Sequence, residues 1–294
     1  MAQRYPPWRL ALALGMSVLP SPAAEVQAQV DRPTGWIVFH AGQAGKYRIA
    51  STDVLGAQQR DLTPGAPGEG NPSLPARGGR VAFQREGDIW ALDLRTGQVV
   101  NLTRTPAYEG CPWFSGDGTQ IAFDGLRDGR SEIFLMSSDG GGLRQLTRGP
   151  GNSACPAFSP TGTQVAFVSD RDGQMEIYLL DLKTGAERRL TDHPAADMDP
   201  AFSPDGSRIA FTSDRRGKFE IYEMALDGRG LRRLSDAQDF AIQPVYSPDG
   251  RWIAFERDGN IVAVHRDTGN QWPMTRGPEY KGGPTWGPAE GSPR

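Results

Sequence analysis

The sequence predicts an all-β protein, a six-bladed β-propeller with four antiparallel strands per blade, and three recurring marks carry the prediction. An apolar triplet returns six times, as Ile37-Val38-Phe39, Val81-Ala82-Phe83, Ile121-Ala122-Phe123, Val165-Ala166-Phe167, Ile209-Ala210-Phe211 and Ile253-Ala254-Phe255, in steps of 44, 40, 44, 44 and 44 residues. A Leu-Thr mark comes after most triplets, at Leu62-Thr63, Leu102-Thr103, Leu146-Thr147 and Leu190-Thr191, with Leu234-Ser235 and Met274-Thr275 as variants. The third mark is a proline followed closely by an aromatic residue: Pro112/Phe114, Pro156/Phe158, Pro200/Phe202, Pro244/Tyr246 and Pro284/Trp286, with Pro72/Leu74 as a weaker member. All three marks number six, and their agreement fixes the count of blades.

From the N-terminus, residues 1–28 read as a signal peptide. Arg4 and Arg9 precede the apolar run Leu10 to Leu19, and small residues then offer cleavage after Ala24 or Ala28. The apolar run is too short for the roughly 20 residues that span a bilayer. A tail at 29–35 leads into the propeller at 36–287, and 288–294 form a C-terminal tail.

The clearest copy runs from Pro200 through the turn Pro204-Asp205-Gly206 into a strand at Ser207 to Ser213. A second strand spans Phe219 to Ala225, before the turn Asp227-Gly228 and an outer strand at Gly230 to Leu234. Asp-Gly pairs suit tight hairpins because glycine takes the positive φ that the turn demands. Copies two and six shorten the middle hairpin to Arg85-Glu86-Gly87-Asp88 and Arg257-Asp258-Gly259-Asn260. Copy one has no leading proline strand, whereas Gly283-Pro284-Thr285-Trp286 stands alone after copy six. The ring is therefore expected to close by residues 282–287 completing the blade begun at Trp36, which leaves no terminal blade with an open edge.

Composition narrows the function. With 23% charged and 37% hydrophobic residues the chain is an ordinary globular protein, and a formal net charge of -3 gives no basic surface for nucleic acid.

At Phe202-Ser203-Pro204-Asp205-Gly206-Ser207-Arg208-Ile209-Ala210-Phe211, with Ser213-Asp214-Arg215, Glu220-Ile221-Tyr222 and Arg233-Leu234-Ser235, the chain resembles the TolB-type, WD-repeat-like propeller repeat of the bacterial envelope. Phe158-Ser159-Pro160-Thr161-Gly162 with Glu176-Ile177-Tyr178 is nearly as close. The resemblance covers 36–287 and implies an envelope protein that binds a protein or peptide partner. It departs from TolB in that only a short tail, not an α/β domain, separates the leader from the first strand, so that domain's role does not carry over. Similar propellers cap serine peptidases, but no hydrolase domain or Gly-x-Ser-x-Gly elbow is found here. Oligogalacturonate lyases are a further related class, with histidines around a central metal.

Candidate sites are set by position. The residue before each repeated proline should ring the channel mouth: Asn71, Cys111, Cys155, Asp199, Gln243 and Gly283. These positions vary between copies while the blade interiors do not, as expected where a fixed scaffold carries a variable binding rim. Asp197 belongs to the same stretch, and with His193 and Asp199 it forms a carboxylate–imidazole group that could hold Ca²⁺ or Mn²⁺. The bland reading of that group is a polar turn. His40 and His265 fall in other copies, which counts against three histidines on one metal. Cys111 and Cys155 hold equivalent places 44 residues apart, either as a disulfide or as two packed thiols. The repeated Asp170-Arg171, Asp214-Arg215 and Arg127-Asp128, with Glu132, Glu176 and Glu220, read as exposed pairs within each blade, worth under about 1 kcal/mol. Phe114, Phe158, Phe202, Tyr246, Phe134, Tyr178 and Tyr222 read as inter-blade core.

The sequence thus points to a non-catalytic, periplasmic or secreted monomer that uses no cofactor and grips an envelope protein or peptide at its rim. The alternative is a lyase-like or carbohydrate-binding propeller acting on an anionic oligosaccharide, with or without a metal.

Overall fold

In the computed structural model, residues 32–63, 68–235 and 240–288 are described. The chain divides into Met1–Arg32 and Pro33–Arg294, and the propeller lies in the second unit. The leader expected at 1–28 and all but the first residue of the C-terminal tail lie outside the described residues.

Twenty-four strands form six four-stranded sheets, with no helix among the described residues. The first blade contains β1 (Trp36–Gln43), β2 (Lys46–Asp53) and β3 (Arg60–Asp61). Blade two is β4 (Glu69–Ser73), β5 (Arg80–Arg85), β6 (Asp88–Asp93) and β7 (Val99–Asn101). Blade three is β8 (Glu109–Phe114), β9 (Gln120–Arg127), β10 (Arg130–Ser137) and β11 (Arg144–Gln145). Blade four is β12 (Ser153–Phe158), β13 (Gln164–Ser169), β14 (Glu176–Asp181) and β15 (Glu187–Arg189). Blade five is β16 (Asp197–Phe202), β17 (Arg208–Ser213), β18 (Glu220–Ala225) and β19 (Arg232–Arg233). Blade six is β20 (Ala241–Tyr246), β21 (Trp252–Arg257), β22 (Asn260–His265) and β23 (Gln271–Pro273). Finally β24 (Tyr280–Gly287) returns to pair with β1, Trp36 against Gly287 and Gly42 against Tyr280. The ring closes as the unmatched proline strand predicts.

Each triplet lies on the second strand of its blade and is fully buried, because neighbouring blades cover both faces of the sheet. This explains the near-continuous apolar runs in place of alternation. The triplet phenylalanine stacks on the aromatic residue of the next strand in three blades, Phe123 on Phe134, Phe167 on Tyr178 and Phe211 on Tyr222, at 5.7–6.0 Å between ring centres.

The Leu-Thr mark plays a different part. In all six blades its hydroxyl accepts a hydrogen bond from the backbone N–H of an isoleucine on the third strand. Thr63 serves Ile49, Thr103 Ile89, Thr147 Ile133, Thr191 Ile177, Ser235 Ile221 and Thr275 Ile261, at 2.8–3.0 Å. In three blades the same hydroxyl donates to a buried glutamate: Thr63 to Glu69, Thr147 to Glu132 at 2.6 Å and Thr191 to Glu176 at 2.5 Å. The outer strands are shorter than the sequence suggests, β19 holding only Arg232 and Arg233 rather than Gly230 to Leu234. The outer strands are only two or three residues long and four of the six carry charge, which blunts the blade edge against pairing with other chains.

The repeated arginines pair within blades as expected, but four carboxylates in such pairs are buried, while Asp170 and Asp214 accept from Asn152 and from Ala196 N and Asp128 is exposed. Arg215 holds Asp197 at 2.8 Å and 2.9 Å, Arg127 holds Glu109 at 2.8 Å, Arg189 holds Glu176 at 2.8 Å and Arg233 holds Glu220 at 3.0 Å, and each of these acids is at most 1% exposed. The arginines also lie over the aromatic stacks, Arg215 at 4.7 Å from the Tyr222 ring and Arg171 at 4.6 Å from Tyr178. These pairs belong to the interior, where breaking one leaves a buried charge without its partner.

Candidate functional site

Every leading strand is interrupted at the same place. Between Ala154 and Ala157, Cys155 and Pro156 together face the single residue Phe167, so a bulge opposes the triplet phenylalanine. The same two-against-one register recurs in the other five blades. The proline has no N–H to give the ladder, which makes the interruption cheap there. The residue before it adopts a left-handed backbone: φ is 49° at Asn71, 45° at Cys111, 50° at Cys155 and Asp199, and 57° at Gln243 and Gly283.

Bulges of this kind ordinarily place glycine at that first position. Five of the six here do not, and a side chain in the left-handed region costs on the order of 1–3 kcal/mol. What the strain gains is a ring. Asn71, Cys111, Cys155, Asp199, Gln243 and Gly283, with the six prolines next to them and Trp113, line one funnel open to solvent. The inter-blade loops at 149–152 and 192–196 do not line it.

The ring side chains bond to one another across the opening. Gln243 Nε2 donates to Asn71 Oδ1 at 3.4 Å, and its Oε1 accepts from Gly283 N at 2.9 Å. Asp199 Oδ2 accepts from Thr212 Oγ1 at 2.9 Å. The two sulfurs of Cys111 and Cys155 stand 3.3 Å apart as free thiols, well beyond the ~2.0 Å of a disulfide. The neighbouring sulfur and burial push the Cys111 thiol well above its ordinary range.

Gly283 departs from the other five for a steric reason. A Cβ at 283 would lie 2.9 Å from His40 Nδ1 and 3.1 Å from its Cε1. The imidazole of His40 therefore fills the space that a ring side chain fills in the other blades, and its buried Nδ1 has no hydrogen-bond partner among the described residues.

His40 belongs to a second ring that the sequence reading does not anticipate. It directly follows the triplet phenylalanine, and the equivalent residues are Gln84, Asp124, Val168, Thr212 and Glu256. Five of these six are polar at a place where blade packing asks for an apolar side chain, and that is the signal that could have found them. Burial raises Asp124, Asp199 and Glu256 above the usual carboxylate range. Among the described residues none of the three has a lysine or arginine in an ion pair, whereas Glu109, Glu176, Asp197, Glu220 and Glu223 each have an arginine. The channel is a desolvated place that disfavours further negative charge.

The structure does not bring His193, Asp197 and Asp199 together around a metal. Asp197 lies in the regular ladder and Asp199 is the first residue of the bulge, so that Asp197 turns into its ion pair with Arg215 while Asp199 faces the funnel. His193 Nδ1 accepts from Ala195 N at 3.0 Å, within its own turn. Asp197 is accordingly a residue of the blade interior and not of the rim. His265 packs edge-on against Trp252 at 5.0 Å, apart from the channel.

The sequence pattern of the TolB β-propeller domain family matches residues 36–175 and 147–291, together nearly the whole ring. This chain belongs to that family. Among solved structures, TolB from Acinetobacter baumannii superposes with a TM-score of 0.76 at 22% identity, covering 90% of this chain and 70% of that one. The TolB-type structure from Agrobacterium tumefaciens gives 0.70 at 23% identity, covering 85% and 90%. An oligogalacturonate lyase in complex with manganese gives 0.59 at 15% identity, covering 82% and 74%. At these identities the likenesses speak for the fold alone. No curated protein matches the sequence. No helix among the described residues is long and apolar enough to cross a membrane.

Within this TolB-type ring, His40 makes stability depend on pH. Burial lowers its pKa from 6.5 to about 4, so the folded state favours the neutral imidazole. Its contribution is complete above pH 6.5 and is lost as pH falls toward 4, a loss of about 3 kcal/mol. The raised carboxyls Asp124, Asp199 and Glu256 act with the opposite sign, since protonation favours their buried state. The His40 contribution is therefore read as a difference. In urea unfolding at pH 7 and pH 4, wild type should lose about 3 kcal/mol more than His40→Gln, and parallel losses would contradict this.

Proposed function

We propose that this chain is a non-catalytic, exported propeller that binds a protein or peptide segment at the channel mouth. One observation carries the reading: five non-glycine residues hold strained left-handed conformations at bulges where glycine would cost less, and all five line one funnel. Strain kept at a site facing solvent is a mark of function. The collar of prolines with Trp113 offers apolar walls, and the amide and carboxylate groups of Asn71, Gln243 and Asp199 offer both donors and acceptors, a mixture suited to an extended peptide. Membership of the TolB propeller family supports the same reading, as does the leader pattern at 1–28 for export.

The second reading, action on an anionic oligosaccharide, draws on the likeness to the manganese-bound lyase. Asp124, Asp199 and Glu256 around the channel, with no basic residue paired to them among the described residues, would repel such a substrate, and this favours the first reading.

The test uses Asn71→Gly/Asp199→Gly/Gln243→Gly, because glycine suits the local backbone and leaves the bulges intact. The cleaved protein should capture a specific envelope protein from host extract by cross-linking, and the triple variant should lose it while melting at an equal or higher temperature. Equal capture by both would show that the ring is not the binding surface.

A further inference from the structure

The funnel has one chemically distinct sector. Cys111 on β8, Asp124 on β9 and Cys155 on β12 come from two adjacent blades, and their two sulfurs and a carboxylate oxygen all lie within 4.8 Å of one another. Paired strands hold all three, in contrast to the polar turn of His193 that the sequence offers as a metal site. Asp124 is 6% exposed, and besides the Cys111 thiol its partners are weak: Cys155 N at 3.4 Å and Ser131 Oγ at 3.5 Å. A buried carboxylate without a cation is costly, and the chain supplies an arginine to Glu109, Glu176, Asp197 and Glu220 but, among the described residues, none to this one. Asp199 and Glu256 bring two further acids to the same channel, again with no paired cation among the described residues.

We propose that Cys111, Cys155 and Asp124 bind one thiophilic divalent cation of the zinc type, with a fourth coordination position facing the funnel. Two sulfurs select for Zn²⁺ over Ca²⁺ or Mg²⁺, which take oxygen ligands. Two thiolates on a tetrahedral zinc, each at about 2.3 Å, stand about 3.8 Å apart. The observed 3.3 Å between the sulfurs is about half an ångström short of that, and a small side-chain rotation supplies the difference. On binding, both thiols release their protons to solvent, the metal replaces them, and no electron is transferred. The open position would face Asn71, whose Nδ2 lies 3.7 Å from Cys111 Sγ. This site is independent of the partner reading above.

The test is made on reduced, chelator-treated protein titrated with Zn²⁺ alone, and with Co²⁺ as a spectroscopic probe. The chain has only two cysteines, so every thiolate signal reports on this pair. One equivalent should bind, and Co²⁺ should give thiolate-to-metal charge-transfer absorption. Cys111→Ser and Cys155→Ser should each sharply reduce that band and weaken Zn²⁺ by more than the about 10–100-fold that losing a hydrogen-bond partner behind a ligand costs. Asp124→Asn retains the side-chain shape and should weaken Zn²⁺ without removing the band. Should a serine variant fail to fold, protection of the wild-type thiols from alkylation by Zn²⁺ gives the same answer. No uptake by the reduced wild type, equal affinity in the Cys111→Ser/Cys155→Ser double variant, or no thiol protection by Zn²⁺ would each overturn the proposal.

Discussion

Removing residues 279–294 is expected to abolish the cooperative unfolding transition of the whole ring, not merely to fray one blade. The deletion takes β24, which pairs with β1 from Gly42 to Trp36. It also takes Trp286, which packs with Trp252, Ile37, Met274 and Val54 in one core cluster spanning the first and last blades. Truncating one buried tryptophan costs about 3–5 kcal/mol. Losing it together with a full ladder of backbone bonds exceeds much of the roughly 5–15 kcal/mol that holds a typical domain together. Calorimetry of the truncated chain should show no transition at the intact protein's melting temperature. An unchanged melting temperature would mean that the five-bladed remainder stands alone. Trp286→Ala, which keeps the strand, should melt lower but still cooperatively.

Arg215→Ala should destabilise the protein by about 3–5 kcal/mol, far above the value of an exposed ion pair. The Asp197 carboxylate is fully buried and both of its oxygens accept from Arg215, so the substitution strands a charge in the interior. The contact of Arg215 with the rings of Phe211 and Tyr222 disappears as well. Replacing both partners by apolar residues of similar volume, Asp197→Leu/Arg215→Met, should recover most of the loss, because no buried charge then lacks its partner. Urea unfolding of the three proteins decides the matter. If Arg215→Ala unfolds within about 1 kcal/mol of wild type, the pair behaves as a solvated one after all.

The contrast between Asp197 and Asp199 shows where sequence reading stops. Two residues apart in a strand, they should share a face. The bulge that begins at Asp199 breaks that parity, and nothing in the local sequence but a proline announces it. The blade count and the closing strand are legible because each repeated mark has a single structural role. Phe123 and its equivalents fill the core, and Thr147 and its equivalents bond to an isoleucine N–H. The first ring is legible for the same reason, since the residue before each proline is fixed by the bulge. The second ring is not, because Gln84, Asp124, Thr212 and Glu256 look like ordinary strand residues until the neighbouring blade is in place. His40 reads in the sequence as a lone histidine of another blade. Its relation to Gly283 arises only when β24 returns to β1.

That return also sets a timetable. Trp286 Nε1 donates to the Thr34 carbonyl across 252 residues of chain. Each of the other five blades is built from hairpins that can form as soon as its own residues exist, but blade one waits until β24 has been made. At about 5–20 residues per second, β1 spends roughly 12–50 s with one edge unpaired. Over that interval the strand most exposed to a wrong partner is β1, whose proper match, β24, is the farthest from it along the ring. The ring is finished by its slowest contact, and its yield depends on what β1 meets while it waits.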